Sequence, residues 1–265
     1  MNYRLLSIEP LFYAIDGREI GRRPGFWICI SRICSVDLRH DPAAGRAAPE
    51  TEQRELLKSP QKIKILSISD VVVPLLHRQA GSERFEGIDV LISCGDLPPE
   101  YLSRLAHVFN APLYYVAGNH DIRYRDTLPQ GGFNLHGRLE RIKGLNILGL
   151  EGSRWYNGGP FQYTESQMRA IIRRLRPTLW WQGGPDLVVT HAPPRYVHDA
   201  EDLCHRGFNC FRWLIDKYQP NYFIHGHIHR HFDDPAERVT QVDATKVVNT
   251  YAYHILEIET GPEGR

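Results

Sequence analysis

From Lys62 onward the apolar positions fall in short runs that alternate with helical patterns. "KIKILSIS", residues 62–69, is dense enough in Ile and Leu for a buried strand, and it stops at Asp70. The stretch from about Pro74 to Phe85 predicts a helix, and "DVLISCG" predicts a second strand. "PPEYLSRLAHVFN" predicts a helix with proline in its first turn, followed by a third strand in "PLYYVAG". This βαβ rhythm is that of a parallel sheet with helices on its faces. "GRLERIKGLNILGLEG" alternates apolar and polar positions around Gly144, which predicts an antiparallel hairpin. A helix follows from about Thr164 to Leu175, opened by Thr164 with Gln167 three residues on, a capping box. A strand "DLVVTH", a helix "FNCFRWLIDKY", a strand "NYFIHGH" and closing strands in "KVVNT" and "YHILEIE" complete the pattern. The expected fold is one α/β domain over residues 62–260, a four-layer sandwich of two mixed β-sheets flanked by helices.

Residues 1–61 form an N-terminal extension, and residues 261–265 a tail. "DLRHDPAAGRAAPETEQRELLKSPQ" is polar, rich in Pro and Ala, and without a period, the pattern of a disordered tether. The apolar run in "RRPGFWICISRICSV" is broken at Arg32, too short for a membrane span of ~20 residues or for an export signal.

Composition sharpens the picture in three ways. A chain of 265 residues with 42% hydrophobic residues can fill a sizeable core. A net charge of +1 leaves no whole-protein field to gather nucleic acid, so any polyanion must bind locally. Five cysteines with no close paired spacing argue against a disulfide framework and for a reducing, cytoplasmic setting. Cys204, His205 and Cys210 lack a zinc-ribbon spacing, and Cys94, inside an apolar strand, reads as core.

The chemistry lies where the strands end. Strand one ends at Asp70, the second in Gly95 and Asp96, and the third in "GNHD", 118–121. Later strands end in "TH", Thr190 and His191, and in "HGHIH", 225–229. Ligands of open α/β sheets collect at the carboxyl ends of strands. Carboxylate, amide oxygen and imidazole together suit Mn, Fe or Zn, with no thiolate in the set.

Asp70, "GD" at 95–96, "GNHD", "TH" and "GHIH" at 226–229, in this order, resemble the calcineurin-like metallophosphoesterases over roughly Lys62 to Glu259. The resemblance implies one or two divalent cations and a phosphate-ester substrate, diester or monoester. Asp96 would bridge the two ions. Asn119, His191 and His227 would complete the second site, with Asp70 and His229 at the first. His120 would protonate the leaving oxygen while a metal-bound hydroxide attacks phosphorus. The family's usual pattern has histidine where this chain has Val72, so the first site is one ligand short. Losing groups that merely support a ligand can cost ~10–100-fold in metal affinity, and losing a ligand costs at least as much. A firm second site and a labile first one are therefore expected; His77 replaces the missing group only if its loop folds back.

Asp121, Arg154, Arg195, His198 and His205 are candidates for the substrate mouth, with Asp202 on the same loop as the last two. An arginine can hold phosphate by a forked contact. Among the other histidines, His225 is expected to be buried behind the ligands and His231 on the surface; His40, His107, His136 and His254 are read as core or solvent-facing. Trp180 and Trp181 are read as core packing. Val72 keeps a second reading open, a degenerate fold retained as a binding or regulatory module.

Overall fold

The computed structural model describes residues 62–260. The N-terminal tether, the tail and His40 lie outside them. The chain order begins β1 (Lys62–Ser69), α1 (Pro74–Arg78), β2 (Val90–Ser93), α2 (Pro99–Phe109), β3 (Leu113–Tyr115) and β4 (Gly132–Asn134). It continues through β5 (Arg138–Ile142), β6 (Leu145–Leu150), β7 (Ser153–Arg154), β8 (Gln162–Tyr163), α3 (Glu165–Trp181) and β9 (Leu187–Thr190). It closes with α4 (Asn209–Tyr218), β10 (Tyr222–His225), β11 (Val239–Val242), β12 (Thr245–Asn249) and β13 (Ala252–Glu259).

Apart from β7 and β8, which pair with each other, these strands build two large mixed sheets. The first has order β13-β1-β2-β3-β4, and the second β11-β12-β10-β9-β6-β5. In each, parallel strands fill the middle: β1, β2 and β3 in one, and β12, β10, β9 and β6 in the other. Antiparallel partners close three of the edges, β13 pairing β1 from Lys62↔Glu259 to Ser69↔Ala252, β5 pairing β6 in the hairpin about Gly144, and β11 pairing β12, while the edge strand β4 runs parallel to β3.

Three apolar layers hold the sandwich, as four stacked layers require. Ile65, Ile92, Ile147, Val189 and Ile224 pack between the two sheets. Leu66, Leu91, Leu102 and Leu105 pack α1 and α2 on the first sheet. Met168, Ile172, Phe211 and Leu214 pack α3 and α4 on the second. Because β2 and β9 are covered on both faces, every residue of "VLIS" and "LVVT" is buried, and each reads as a continuous apolar run.

Two elements differ from the sequence pattern. The first helix stops at Arg78, because Gly81 and Ser82 interrupt it before a short 3-10 turn at Glu83–Phe85. The capping box at Thr164 and Gln167 is present, but α3 runs on through Pro177 to Trp181. The buried face of α3 carries Met168, Ile172 and Leu179. Trp180 and Trp181 fall outside that face and are 81% and 82% exposed, not core.

Candidate metal centre

The candidate ligands come from both sheets. Asp70, Asp96 and Asn119 follow β1, β2 and β3 of the first sheet, and His191, His227 and His229 follow β9 and β10 of the second. The backbone turns sharply at these strand ends. Asp70, Asp96 and His227 hold φ of 66°, 58° and 67°, left-handed values that side-chain-bearing residues rarely adopt. Gly118 is required for a different reason: a Cβ there would lie 2.0 Å from Asp96 Oδ1. A Cβ on Gly226 would likewise lie 2.7 Å from Asp70 Oδ2.

Asp96, His191 and His227 offer donor atoms that all lie within 4.8 Å of one another. His191 Nε2 is the hub, 3.3 Å from Asp96 Oδ2, 3.0 Å from Asn119 Oδ1 and 3.1 Å from His227 Nδ1. Backbone carbonyls fix both tautomers. His191 donates Nδ1–H to the Cys94 carbonyl at 2.8 Å, and His227 donates Nε2–H to the Cys204 carbonyl at 2.8 Å. Each ring thereby turns its other nitrogen into the cluster, His191 Nε2 toward Asp96 and Asn119 and His227 Nδ1 toward His191. Four electron-rich atoms facing one another require a proton or a cation between them, and the residues fit a divalent metal ion.

The electrostatics agree. Burial opposes charge on His191, but Asp96 outweighs it and raises the ring to about 9. Burial also opposes charge on Asp96, but His191 and the His120 N–H hold its carboxyl at about 2. Burial and then the charge on His191 lower His227 to about 4.

Asp70 and His229 lie beside this group. Asp70 accepts the His227 N–H at 2.9 and 3.1 Å, and His229 Nε2 is 3.4 Å from Asp70 Oδ1. That contact raises the His229 pKa. Val72, without a donor atom, is exposed. His77 packs edge-on against Tyr101, with ring centres 5.2 Å apart, instead of turning back toward Asp70.

His120 is exposed, and its backbone N–H donates to Asp96 Oδ1 at 2.8 Å. Asp121 is buried and accepts the N–H groups of Gly118, Asp96 and Leu97 at 2.7, 2.8 and 3.0 Å, tying the ends of β2 and β3 together. Burial pushes its carboxyl up to about 7, against those donors.

Of the other mouth candidates, His205 stands against a ligand. Its Nδ1 bonds the Asp202 carboxylate at 3.0 Å, and its ring centre is 5.3 Å from that of His227. Arg195 is tied to Asp199 at 2.6 Å and to Glu201 at 2.8 Å, within its own loop. Arg154 bonds Glu165 at 3.1 Å. His198 donates Nδ1–H to His225 Nε2 at 2.9 Å and accepts from the Thr240 hydroxyl at 2.8 Å. His225 passes its own Nδ1–H to the Gly226 carbonyl at 2.9 Å, so both rings are neutral and turned inward. His231 is exposed.

Sequence reasoning passed over the carbonyls of Cys94 and Cys204, since a backbone group carries no residue signature. It also passed over Tyr156, whose hydroxyl accepts from Asn119 Nδ2 at 3.3 Å. The aromatic cluster "SRWYNGGPFQY" holds that residue but does not single it out.

A family model described as calcineurin-like phosphoesterase matches residues 63–231. No curated protein matches the chain. Among solved structures, TT1561 of Thermus thermophilus shares 14% identity and a TM-score of 0.52, over 76% of this chain and 100% of that one. The calcineurin-like phosphoesterase YfkN from Bacillus subtilis shares 10% identity and a TM-score of 0.39, over 76% of this chain and 92% of that one. The family match covers well over half of the chain and takes in every strand end that carries a candidate ligand; the chain belongs to the calcineurin-like phosphoesterase family.

Proposed function

We propose that the chain is a metal-dependent phosphoesterase acting on a phosphodiester or phosphomonoester. The observation that carries this reading is the convergence of Asp96, Asn119, His191 and His227, with both imidazole tautomers set by backbone carbonyls. A divalent ion held there would supply Lewis acidity toward a phosphoryl oxygen and a nucleophile at neutral pH.

The chain's own residues do the rest. His191, and after it the hydrogen bond from the His120 N–H, keep the Asp96 carboxylate ionised and facing the His191 ring. That same bond fixes the backbone of His120, whose exposed ring is free to give a proton to the leaving oxygen. Asp121 keeps the two strand-end loops at a set spacing without facing the substrate. Asp70 and His229 form the weaker first position, which Val72 leaves short of a donor.

The experiment is metal content of the purified protein paired with hydrolysis of bis-p-nitrophenyl and p-nitrophenyl phosphate with added manganese. Bound metal with manganese-stimulated turnover supports the reading. Absence of both at millimolar manganese would instead favour a scaffold that keeps the fold without the reaction.

A further inference from the structure

On the far side of the second sheet, between α3 and α4, lies a cavity of about 360 Å³. Its floor is Ile172 and Cys210, and Trp213 of α4 stands on one wall at 40% exposure. The opposite wall is Arg169, Arg173 and Arg176. Steps of four and three residues put these side chains on one stripe of α3, spread over about 10 Å of helix axis. The next step of four reaches the exposed Trp180.

The charges on this stripe are poorly offset. Arg169 lies 3.7 Å from Glu165, but that carboxylate already serves Arg154 and the N–H groups of Asn209 and Cys210 at the start of α4. Arg173 and Arg176 make no ion pair among the described residues. None of these groups takes part in the metal centre. A near-neutral protein that lines this cavity with three arginines, two of them without an ion pair among the described residues, with the indole of Trp213 on the same cavity and that of Trp180 one helical step beyond Arg176, offers a local anion site with ring-stacking faces. A basic track edged by aromatic rings is how a single nucleic-acid strand is held, phosphates on guanidinium groups and bases on the rings.

We propose that the α3–α4 groove binds single-stranded nucleic acid, with phosphates along Arg169, Arg173 and Arg176 and bases stacked on Trp213 and Trp180. A phosphate-bearing lipid surface offers the charge without the rings. An acidic peptide offers carboxylates but no stacking partner matched to two separate indoles.

The test is fluorescence anisotropy of the full chain with a labelled thymidine strand of about ten nucleotides, within the site sizes such grooves cover. Reversing charge in an Arg173→Glu, Arg176→Glu double variant is expected to weaken binding at least about tenfold and to flatten its salt dependence. Trp213→Ala is expected to weaken it about fivefold or more, and Trp213→Phe, which keeps a stacking face, to restore most of it. Manganese-stimulated hydrolysis and circular dichroism of each variant report whether it is folded. Strand affinity that the charge reversal leaves unchanged overturns the proposal. So does loss by charge reversal without loss by Trp213→Ala, which marks a plain basic patch. Absence of strand binding, or retention on phosphatidylserine vesicles in its place, overturns it as well.

Discussion

His191 Nε2 and His227 Nδ1 face each other at 3.1 Å, and in each ring the other nitrogen already donates to a backbone carbonyl. Two lone pairs at that distance repel, so without a metal ion the gap is filled by a proton. Asp96 places that proton on His191, whose pKa stands at about 9.

Metal uptake below that pH must therefore expel the proton. Titration calorimetry with manganese at pH 7, in buffers of different ionisation heat, is expected to show release of close to one proton, vanishing above pH 9. The same group acts on stability. A histidine raised from 6.5 to about 9 stabilises the metal-free fold fully below pH 6.5, and that contribution is lost as pH rises through 9. The metal-free melting temperature should drop across this window, and the metal-loaded one should not follow it. A metal-binding heat independent of buffer would refute the arrangement.

His120→Ala is expected to lower turnover by about 10²–10⁴-fold with metal content unchanged. Its loss should be greater for an alkyl phosphate than for p-nitrophenyl phosphate, whose leaving group needs little protonation. Equal losses on both would point to a structural role for the ring, and unchanged turnover would remove it from the reaction.

Val72→His restores a donor two residues beyond Asp70, the carboxylate that already contacts His229. Binding of a further ion should tighten at least about tenfold, read by equilibrium dialysis against manganese. If stoichiometry and affinity stay as they were, position 72 does not face the metal centre.

Gly118→Ala places a methyl group 2.0 Å from Asp96 Oδ1. The clash is expected to cost about 1–3 kcal/mol in urea unfolding and to displace the Asp96 carboxylate, so metal affinity falls with stability. Gly81→Ala, at a position with open space around it, serves as the control and should leave metal binding intact.

Much of this was legible in the chain because strand ends carry their chemistry in the sequence. "SD", "GD", "GNHD", "TH" and "GHIH" sit where apolar runs stop, and the structure puts Asp96, His191 and His227 together. The capping box at Thr164 was legible too, since it depends on residues three apart. The far end of α3 was not. Pro177 signals a break, yet packing of Leu179 against the second sheet carries the helix past it and leaves Trp180 and Trp181 outside. The placements of Arg154 and Arg195 depend on Glu165, Asp199 and Glu201, pairings that spacing alone does not reveal.

The candidate ligands are drawn from two sheets whose facing layer is mainly Ile, Leu and Val side chains. Apolar layers resist separation, but they have little directional hold against sliding. An ion gripped by Asp96 from one sheet and by His191 and His227 from the other would act as a rivet through that seam. The chemistry of the centre and the mechanical stiffness of the sandwich then become one property. Chelation should loosen the whole interface, so that amide hydrogens of Ile65 and Ile147 exchange faster, beyond the residues that touch the ion.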